Sequence, residues 1–587
     1  MPVDKTTRNN SIDFIKGVAI VAVVLYHFGG NVLPYGYLGV DIFFVVGGYL
    51  LFKGLNNQFA RQTFNYWQFI FRKLVRLWPL IFVVSAVSML LGYFLMLPDD
   101  FENLAESVVA SSVFSNNILQ CITTKNYWDI VNLYKPLMHL WYIGVLMQAY
   151  IVIPLIVLLV RKFLRGGVKQ TALGLTIISL LFFISPWFTD AQKFYYLPFR
   201  FFEITMGGIP LFWKSSFKLQ TAKLISLLSF ISLLLFLCLH MELVSAKVLL
   251  ILTCFCTLFF IISTENIQYK TFNNFVKFGA DIGKSSYSIY LWHQVVVAFL
   301  FYSFFPVQSK TSFLIFIALV CILSFLSYKY IETPLGLAVT NKKRELIVLL
   351  TTAIGTTFIC AYSLVVFCHA GVVRDVEELD VFKNTVHRGQ HAEYCDRPYQ
   401  WNKDFDDNSK IKVLVIGNSF GRDWANILYE WDVQKQLQIS YLYADGSVIN
   451  NLERLKKADL VFYADGPGFK EIPNILKDSV SKEKLYIIGN KNYGASNGII
   501  YALRNYKDYY ESSVPISGKL LRSNKKNAKE YGSHFIDLMM PVMADSARVK
   551  VFTDDHKYIS QDCRHLTQAG ARFYARILDI EGIIGRH

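Results

Sequence analysis

The segment Ser11-Ile-Asp-Phe-Ile-Lys16-Gly-Val-Ala-Ile-Val-Ala-Val-Val-Leu-Tyr-His27 is apolar over nearly the length of a bilayer crossing, yet it carries both Lys16 and His27. A helix crossing hydrocarbon needs roughly 20 apolar residues. An ionisable side chain inside one costs roughly 2.5–3.5 kcal/mol on insertion scales, so each invites a functional reading. Lys16 precedes His27 by eleven positions, about three helical turns, which puts the two on nearly the same face. Taken alone, a His on an apolar helix is more often a packing residue, and Lys16 can snorkel to the interface.

Working outward, similar runs recur to about Phe367 and then stop. They read as spans at roughly 12–30, 38–56, 79–97, 142–160, 171–187, 198–213, 224–241, 246–264, 285–304, 312–331 and 346–368. At 587 residues, 53% hydrophobic and 18% charged, the chain is too long for one domain and too apolar for an ordinary soluble protein. Alternate connections collect the positive charge: Arg61, Arg72, Lys73 and Arg76, then Arg161, Lys162, Arg165 and Lys169, then Lys214, Lys218 and Lys223, then Lys270, Lys277 and Lys284, then Lys342, Lys343 and Arg344. The other connections hold little beyond Lys125, Lys135, Lys193, Lys247 and Lys310. The positive-inside rule makes the first set cytoplasmic, together with Lys5 and Arg8, and an odd number of spans places the C-terminal part outside. The net charge of +15 is thus spread among loops and does not form a nucleic-acid patch. The first apolar segment lacks a small-residue cleavage site, so it is expected to remain as the first span.

Several blocks then resemble the acyltransferase-3 family of membrane O-acyltransferases. Lys16 and His27 meet that family's Arg/Lys-x10-His signature, and Gly39-Val-Asp41-Ile-Phe-Phe-Val-Val-Gly47-Gly48-Tyr49 nearly meets its G-V-D-x-F-F-V-x-S-G-F/Y block, with Gly47 for the usual Ser. Arg72-Lys73-Leu-Val-Arg76-Leu-Trp-Pro79 resembles R-R-x-x-R-I-x-P, Ser286-Tyr-Ser-Ile-Tyr290-Leu-Trp-His293 resembles S-Y-S-x-Y-L-x-H, and Tyr330-Ile-Glu332-Thr-Pro334 resembles F-x-E-x-P. One block departs: where relatives have W-S-L-x-V-E-E-Q-F-Y, this chain reads Trp141-Tyr-Ile-Gly-Val-Leu146-Met147-Gln148-Ala-Tyr150, with both acidic positions apolar.

The resemblance implies acetyl-CoA, or a close acyl-CoA, as cytoplasmic donor. Arg72, Lys73 and Arg76 would supply counter-charge to its phosphates, Arg in bidentate geometry, although the same residues also serve as topology signals. His27 would act as general base, general acid or transient acyl carrier, with Lys16 and Asp41 tuning or orienting it.

Beyond residue 371 the composition turns charged and aromatic, read as a linker or ordered extension over 371–410. Lys412-Val-Leu-Val-Ile-Gly417-Asn418-Ser419-Phe420-Gly421 is a short β-branched run ending in a turn, followed by an amphipathic stretch: a strand, a turn and a helix. That geometry exposes a Ser at a helix N-terminus, where unpaired N–H groups stabilise negative charge. Near the end stands Asp562-Cys-Arg-His565-Leu-Thr-Gln-Ala-Gly570. Together these blocks resemble an SGNH (GDSL-like) hydrolase domain, and they do not fit the G-x-S-x-G elbow. The resemblance implies that Ser419 attacks, His565 moves its proton and Asp562 holds the imidazole tautomer. Runs at 439–444, 460–464 and 485–488 suggest a parallel sheet. Gly446 and Asn492 are the candidates for the oxyanion donors; the expected G-x-N-D place reads Ala464-Asp465-Gly466-Pro467. Cys395 and Cys563 fall in this exported part, where pairing is open to them.

The expected organisation is therefore a membrane α-helical bundle at 1–345, an additional transmembrane helix at 346–370, the extension at 371–410 and an α/β SGNH-type three-layer domain at 411–587. The combination resembles bacterial O-acetyltransferases of lipopolysaccharide O-antigen, peptidoglycan and related surface polymers. Two other readings remain: an SGNH domain that trims acetyl esters, and a transporter of an acylated solute, against which stands the lack of repeated halves with Gly/Pro-broken spans. No bound cofactor or metal is expected; the partners are acetyl-CoA and a surface glycan.

Overall fold

The computed structural model describes residues 10–29, 33–123, 133–164, 166–212, 217–240, 244–265, 274–302, 309–338, 341–384, 390–444, 446–464, 466, 472–494 and 497–585. Lys5, Arg8, Lys125, Arg165, Lys214, Lys270, Asp465 and Pro467 lie outside the described residues, as do the ends of several expected spans. The chain forms two compact units, one of Met1–Leu95 with Asn103–Leu364, the other of Met96–Glu102 with Val365–His587.

The first unit is a bundle of helices: α1 (Asn10–Gly29), α2 (Gly39–Ala60), α3 (Tyr66–Leu95), α4 (Pro98–Ser112, whose first turn belongs to the second unit), α5 (Asn116–Thr123), α6 (Trp141–Phe163), α7 (Val168–Ile184), α8 (Asp190–Tyr195) and α9 (Leu197–Met206). It continues through α10 (Leu219–Cys238), α11 (Ala246–Glu265), α12 (Asn274–Lys284), α13 (Ser286–Phe301), α14 (Lys310–Ser327), α15 (Thr333–Ala338) and α16 (Lys342–Cys368), which ends in the second unit. Among the described residues, eight helices are long and apolar enough to cross a membrane, and α7 and α13 are shorter apolar helices. Such segments must satisfy their backbone internally, which a helix does along its length except at its ends and at proline.

Two spans differ from the sequence reading. The third begins at Tyr66 and runs 30 residues, so Arg72, Lys73 and Arg76 lie on the helix itself rather than in a loop before it. At about 45 Å it exceeds a hydrocarbon core of roughly 30 Å, which leaves its basic first turns free to reach the interface. The segment expected to span at 198–213 forms only the ten-residue α9, ended by Gly207-Gly208 and followed by a turn at Ile209–Phe212. At about 15 Å, α9 is too short to cross on its own, so among the described residues the helices do not reproduce the odd span count expected from the sequence. Its Arg200 and Glu203 are fully buried and held by partners inside the bundle.

The second unit is α/β. After α17 (Gln390–Asp396) come β1 (Ile411–Gly417), α18 (Ser419–Trp431), β2 (Leu437–Tyr443), α19 (Leu452–Lys457), β3 (Leu460–Ala464), α20 (Asn474–Ser479), β4 (Leu485–Ile488) and α21 (Asn497–Tyr501). Then follow β5 (Ser513–Pro515), α22 (Gly518–Tyr531), β6 (Phe535–Ile536), β7 (Arg548–Lys550), α23 (Gln568–Ile577) and α24 (Ile580–Ile584). The main sheet is parallel in the order β2-β1-β3-β4-β6, and β5 and β7 form a separate antiparallel pair. Along β1, Val413 and Val415 pack with Trp424, Leu428 and Phe573 on one face, while Leu414 and Ile416 pack with Leu455 and Leu476 on the other. A strand apolar at every position is the expected signature of a sheet covered on both faces. The stretch before β1 is an ordered extension: Val376 and Leu379 enter the core, and Phe405 packs on the opposite face.

Candidate functional site

In a parallel sheet, ligands bind outside the C-terminal strand ends where the strand order reverses. Here the order reverses at β1, which is flanked by β2 and β3, and Ser419 follows β1 directly as the first residue of α18. Asn418 caps that helix, its Oδ1 accepting from the Phe420 N–H at 3.0 Å. Tyr441 on β2 braces the turn by donating its hydroxyl to Gly417 O at 2.7 Å and Asn418 O at 3.2 Å. Gly466, after β3, adopts φ +65°, and a Cβ there would sit 2.7 Å from the Phe420 ring, so only glycine fits against this turn.

Asp562 and His565 come together directly. His565 Nδ1 donates to Asp562 Oδ2 at 2.5 Å, and the Arg564 and His565 N–H groups donate to Asp562 Oδ1 at 2.9 and 2.7 Å. Partial burial works to raise the Asp562 carboxyl, but these hydrogen bonds and the imidazole prevail and hold it well below the usual carboxylate range. With Nδ1 engaged, Nε2 is the nitrogen left to exchange a proton. The loop reaches the Ser419 helix through Asp423, one turn along α18, whose Oδ1 accepts from the Leu566 N–H at 3.3 Å. Asp423 Oδ2 also pairs with Lys491 Nζ at 2.5 Å, both side chains buried, and the same ammonium donates to Arg564 O at 2.7 Å and sits 4.0 Å above the Phe420 ring. One buried cation thus ties together β4's following loop, the Asp562–His565 loop and the Ser419 helix.

Gly446 opens the turn Gly446–Asn451 after β2, at the same end of the sheet as Ser419. The Asn492 N–H is engaged by Met539 Sδ at 3.3 Å and its Oδ1 by the Gly494 N–H at 3.0 Å, which leaves Nδ2 as its donor. Cys395 and Cys563 are free thiols: Cys563 Sγ faces Asn497 Oδ1 at 3.3 Å, and Cys395 Sγ lies 3.6 Å from His391 Nε2. Burial pushes the Cys563 thiol up to about 12, far from the thiolate that exchange chemistry requires.

In the helical unit, His27 Nδ1 donates to Val23 O at 2.8 Å, which fixes the tautomer with a lone pair on Nε2. His293 Nδ1 does the same with Tyr290 O at 2.5 Å. The two rings meet edge-on at 5.0 Å, and His139 joins them at 5.3 Å from His293. All three are buried. Neither nitrogen of His139 nor His293 Nε2 has a hydrogen-bond partner among the described residues. Of the expected orienting groups, Lys16 pairs with Asp13 at 2.7 Å, and Asp41 pairs with Arg200 Nη1 at 3.0 Å, Arg200 in turn binding Glu203 at 2.5 Å. A buried carboxylate needs a cation, and Arg200 is the one that α9 supplies to Asp41.

Arg72, Lys73 and Arg76 converge, with Lys284, on a cavity of about 510 Å³ that also touches Gln58, Tyr328 and Glu332. Tyr328–Glu332 is a single π-helical turn, a distortion frequent at functional sites. Ser288 Oγ donates to Glu332 Oε2 at 2.9 Å.

A family model described as an acyltransferase domain matches residues 9–329. The chain belongs to this acyltransferase family. Among curated proteins it is 27% identical over 359 residues to the peptidoglycan O-acetyltransferase OatA of Listeria monocytogenes serovar 1/2a (strain ATCC BAA-679 / EGD-e), covering 56% of this chain and 57% of that protein. It is 26% identical over 361 residues to the O-acetyltransferase OatA of Staphylococcus aureus (strain NCTC 8325 / PS 47), covering 55% and 56%. The chain therefore spans little more than half the length of these relatives. No solved structure matches it.

As an acyltransferase-family bundle, the unit adds to the site residues singled out from sequence. His293 stood in a family segment without a role. His139, in Leu137-Met-His139-Leu, was legible only as an ionisable residue in an apolar run. The same signal marks Arg200 and Glu203, which a span at 198–213 had absorbed.

Proposed function

We propose that the chain is a bacterial cytoplasmic-membrane O-acetyltransferase that takes an acetyl group from cytoplasmic acetyl-CoA to a hydroxyl of an extracytoplasmic glycan. The observation that carries this reading is α3. The basic cavity lies toward its N-terminal end, and the residues just past its C-terminus, Met96–Glu102, are part of the α/β unit. From Arg76 to Leu95 the helix rises about 28 Å, close to the hydrocarbon thickness. In this reading the donor chemistry and the Ser-His-Asp chemistry belong to opposite sides of the membrane. The name of the Listeria monocytogenes relative favours peptidoglycan as the glycan.

In the donor half, the guanidinium groups of Arg72 and Arg76 suit the coenzyme phosphates, and His27 Nε2 supplies the lone pair for proton transfer or acyl capture. In the acceptor half, Ser419 Oγ attacks the delivered acyl carbon as His565 Nε2 takes its proton and passes it to the leaving group. The sugar oxygen then attacks the acyl-serine, the Ser419 Oγ–carbon bond breaks, and the sugar's proton returns to Oγ through His565. Two moderate barriers replace one high one.

Ester-linked acetate on envelope glycans, measured in cells expressing wild type, S419A or H27A, tests the scheme. Both variants are expected to lose it. Wild-type acetate in S419A removes the serine step, and a rise in acetate in S419A identifies the domain as an esterase instead.

A further inference from the structure

Asp562 and His565 sit on a loop, between Ile559 and Thr567, that belongs to no helix and no strand of the sheets. Its shape depends on tethers. Asn497 Nδ2 holds the main chain by donating to Ser560 O and, at 3.0 Å, to Gln561 O. Ser560 Oγ closes the loop on itself by donating to His565 O at 2.6 Å. Cys563 takes a left-handed φ of +65°, a conformation that the surroundings must impose on a side-chain-bearing residue. Besides these and the ties from Lys491 and Asp423, one tether comes from the segment after α3: Gln561 Nε2 donates to Asp99 Oδ1 at 2.5 Å.

Asp99 belongs to the seven residues Met96–Glu102 that follow α3 and are built into the α/β unit. The segment is held firmly. Leu97 is buried in the core that contains Trp424 and Tyr574. Arg374 Nη2 donates to Met96 O at 2.8 Å, its other arm binds the Tyr501 hydroxyl, and its guanidinium lies 4.9 Å from the Tyr501 ring centre. Gly371, at φ +75°, lets Pro98 O approach to where a Cβ would lie 1.9 Å away, which no other residue allows.

We propose that Asp99 is a positioning residue for the Ser419 reaction: through Gln561 it sets the Asp562–His565 loop, so the chain leaving the third span completes the α/β active site. This rests on the reading of Ser419 as nucleophile. His391 on α17, Gln561 and Asp562 are the groups that act on the Asp99 carboxyl; burial raises it, and His391 and the Gln561 amide pull it back. The hydrogen bond, which a neutral amide oxygen also accepts, is the part that positions the loop.

The test uses the full-length protein in nanodiscs, hydrolysing p-nitrophenyl acetate. D99L and Q561L are each expected to lower kcat roughly tenfold or more with KM little changed, because a misoriented base slows chemistry without altering binding. D99N restores most of the rate lost in D99L. The D99L/Q561L double variant falls no further than either single one. Wild-type kcat in Q561L, equal loss in D99N and D99L, or multiplying losses in the double variant each overturn the proposal. S419A is the separate control: full turnover there sinks the nucleophile assignment, whatever Asp99 does.

Discussion

Gly47 on α2 and Leu146 on α6 face each other inside the bundle, a Cβ at Gly47 meeting Leu146 Cδ1 at 3.6 Å. Both are positions where the sequence departs from the acyltransferase pattern, Gly47 standing for Ser and Leu146, next to Met147, for one of the two Glu residues. Two departures far apart along the chain thus meet in one apolar contact. A buried charge without a partner is costly at such a place.

That contact predicts the stability of variants. L146E places a carboxyl at a position 7% exposed, facing Gly47, and it is expected to destabilise the bundle by about 2–4 kcal/mol. G47S alone is nearly neutral, and G47S/L146E recovers about 1–2 kcal/mol through a hydroxyl-to-carboxylate hydrogen bond. Unfolding midpoints in detergent measure the cycle, and an L146E protein as stable as wild type refutes it.

Lys491 and Asp423 are 0% and 1% exposed. K491M leaves the Asp423 carboxylate buried and unpaired, a change worth about 3–5 kcal/mol against folding. K491M/D423L removes both charges and regains most of it. Ester turnover stays low in the double variant, because the tether from Lys491 Nζ to Arg564 O is gone. Recovery of full turnover would falsify the tether's role.

The Asp562 carboxyl is held below its ordinary value in the folded protein. A depressed folded pKa contributes stability above the unfolded value, about 3.9, and that contribution is lost as pH falls through and below it. Wild type is therefore expected to unfold at a higher temperature than D562N at pH 6, with the gap constant down to about pH 4 and narrowing only below it. A gap independent of pH contradicts this.

Features carried by local pattern were legible without a structure. The apolar runs, the strand and turn ending in Ser419, and the three-residue spacing of Asp562 and His565 all depend on near neighbours, and the structure places each in the expected element. What escaped is long-range. Nothing in Met96–Glu102 marks it as part of a domain beginning hundreds of residues later, and a fragment starting at residue 385 would lack Leu97, Val376 and Leu379 from its core. Lys491 and Asp423 look like surface charges until the fold buries them. Asp41, to which the family resemblance gives a part in orienting His27, also receives Arg200 from α9, a partner that no local pattern announces.

The tautomer of His27 gives the sharpest test of the donor half. Its Nδ1–H is fixed on Val23 O at 2.8 Å, so any chemistry belongs to Nε2. Asparagine places its amide where Nδ1 stands and nothing where Nε2 stands. H27N therefore keeps the helix contact and removes the base. It is expected to fold normally yet release coenzyme thiol from acetyl-CoA, in inverted membrane vesicles, roughly 10²–10⁴-fold more slowly, the range for loss of a positioned acid or base. H27Q, with an amide near the Nε2 position, offers no imidazole lone pair and is equally slow. Should H27N run at the wild-type rate with an unchanged unfolding midpoint, proton transfer at Nε2 plays no part, and the buried His139 and His293 become the groups to vary next.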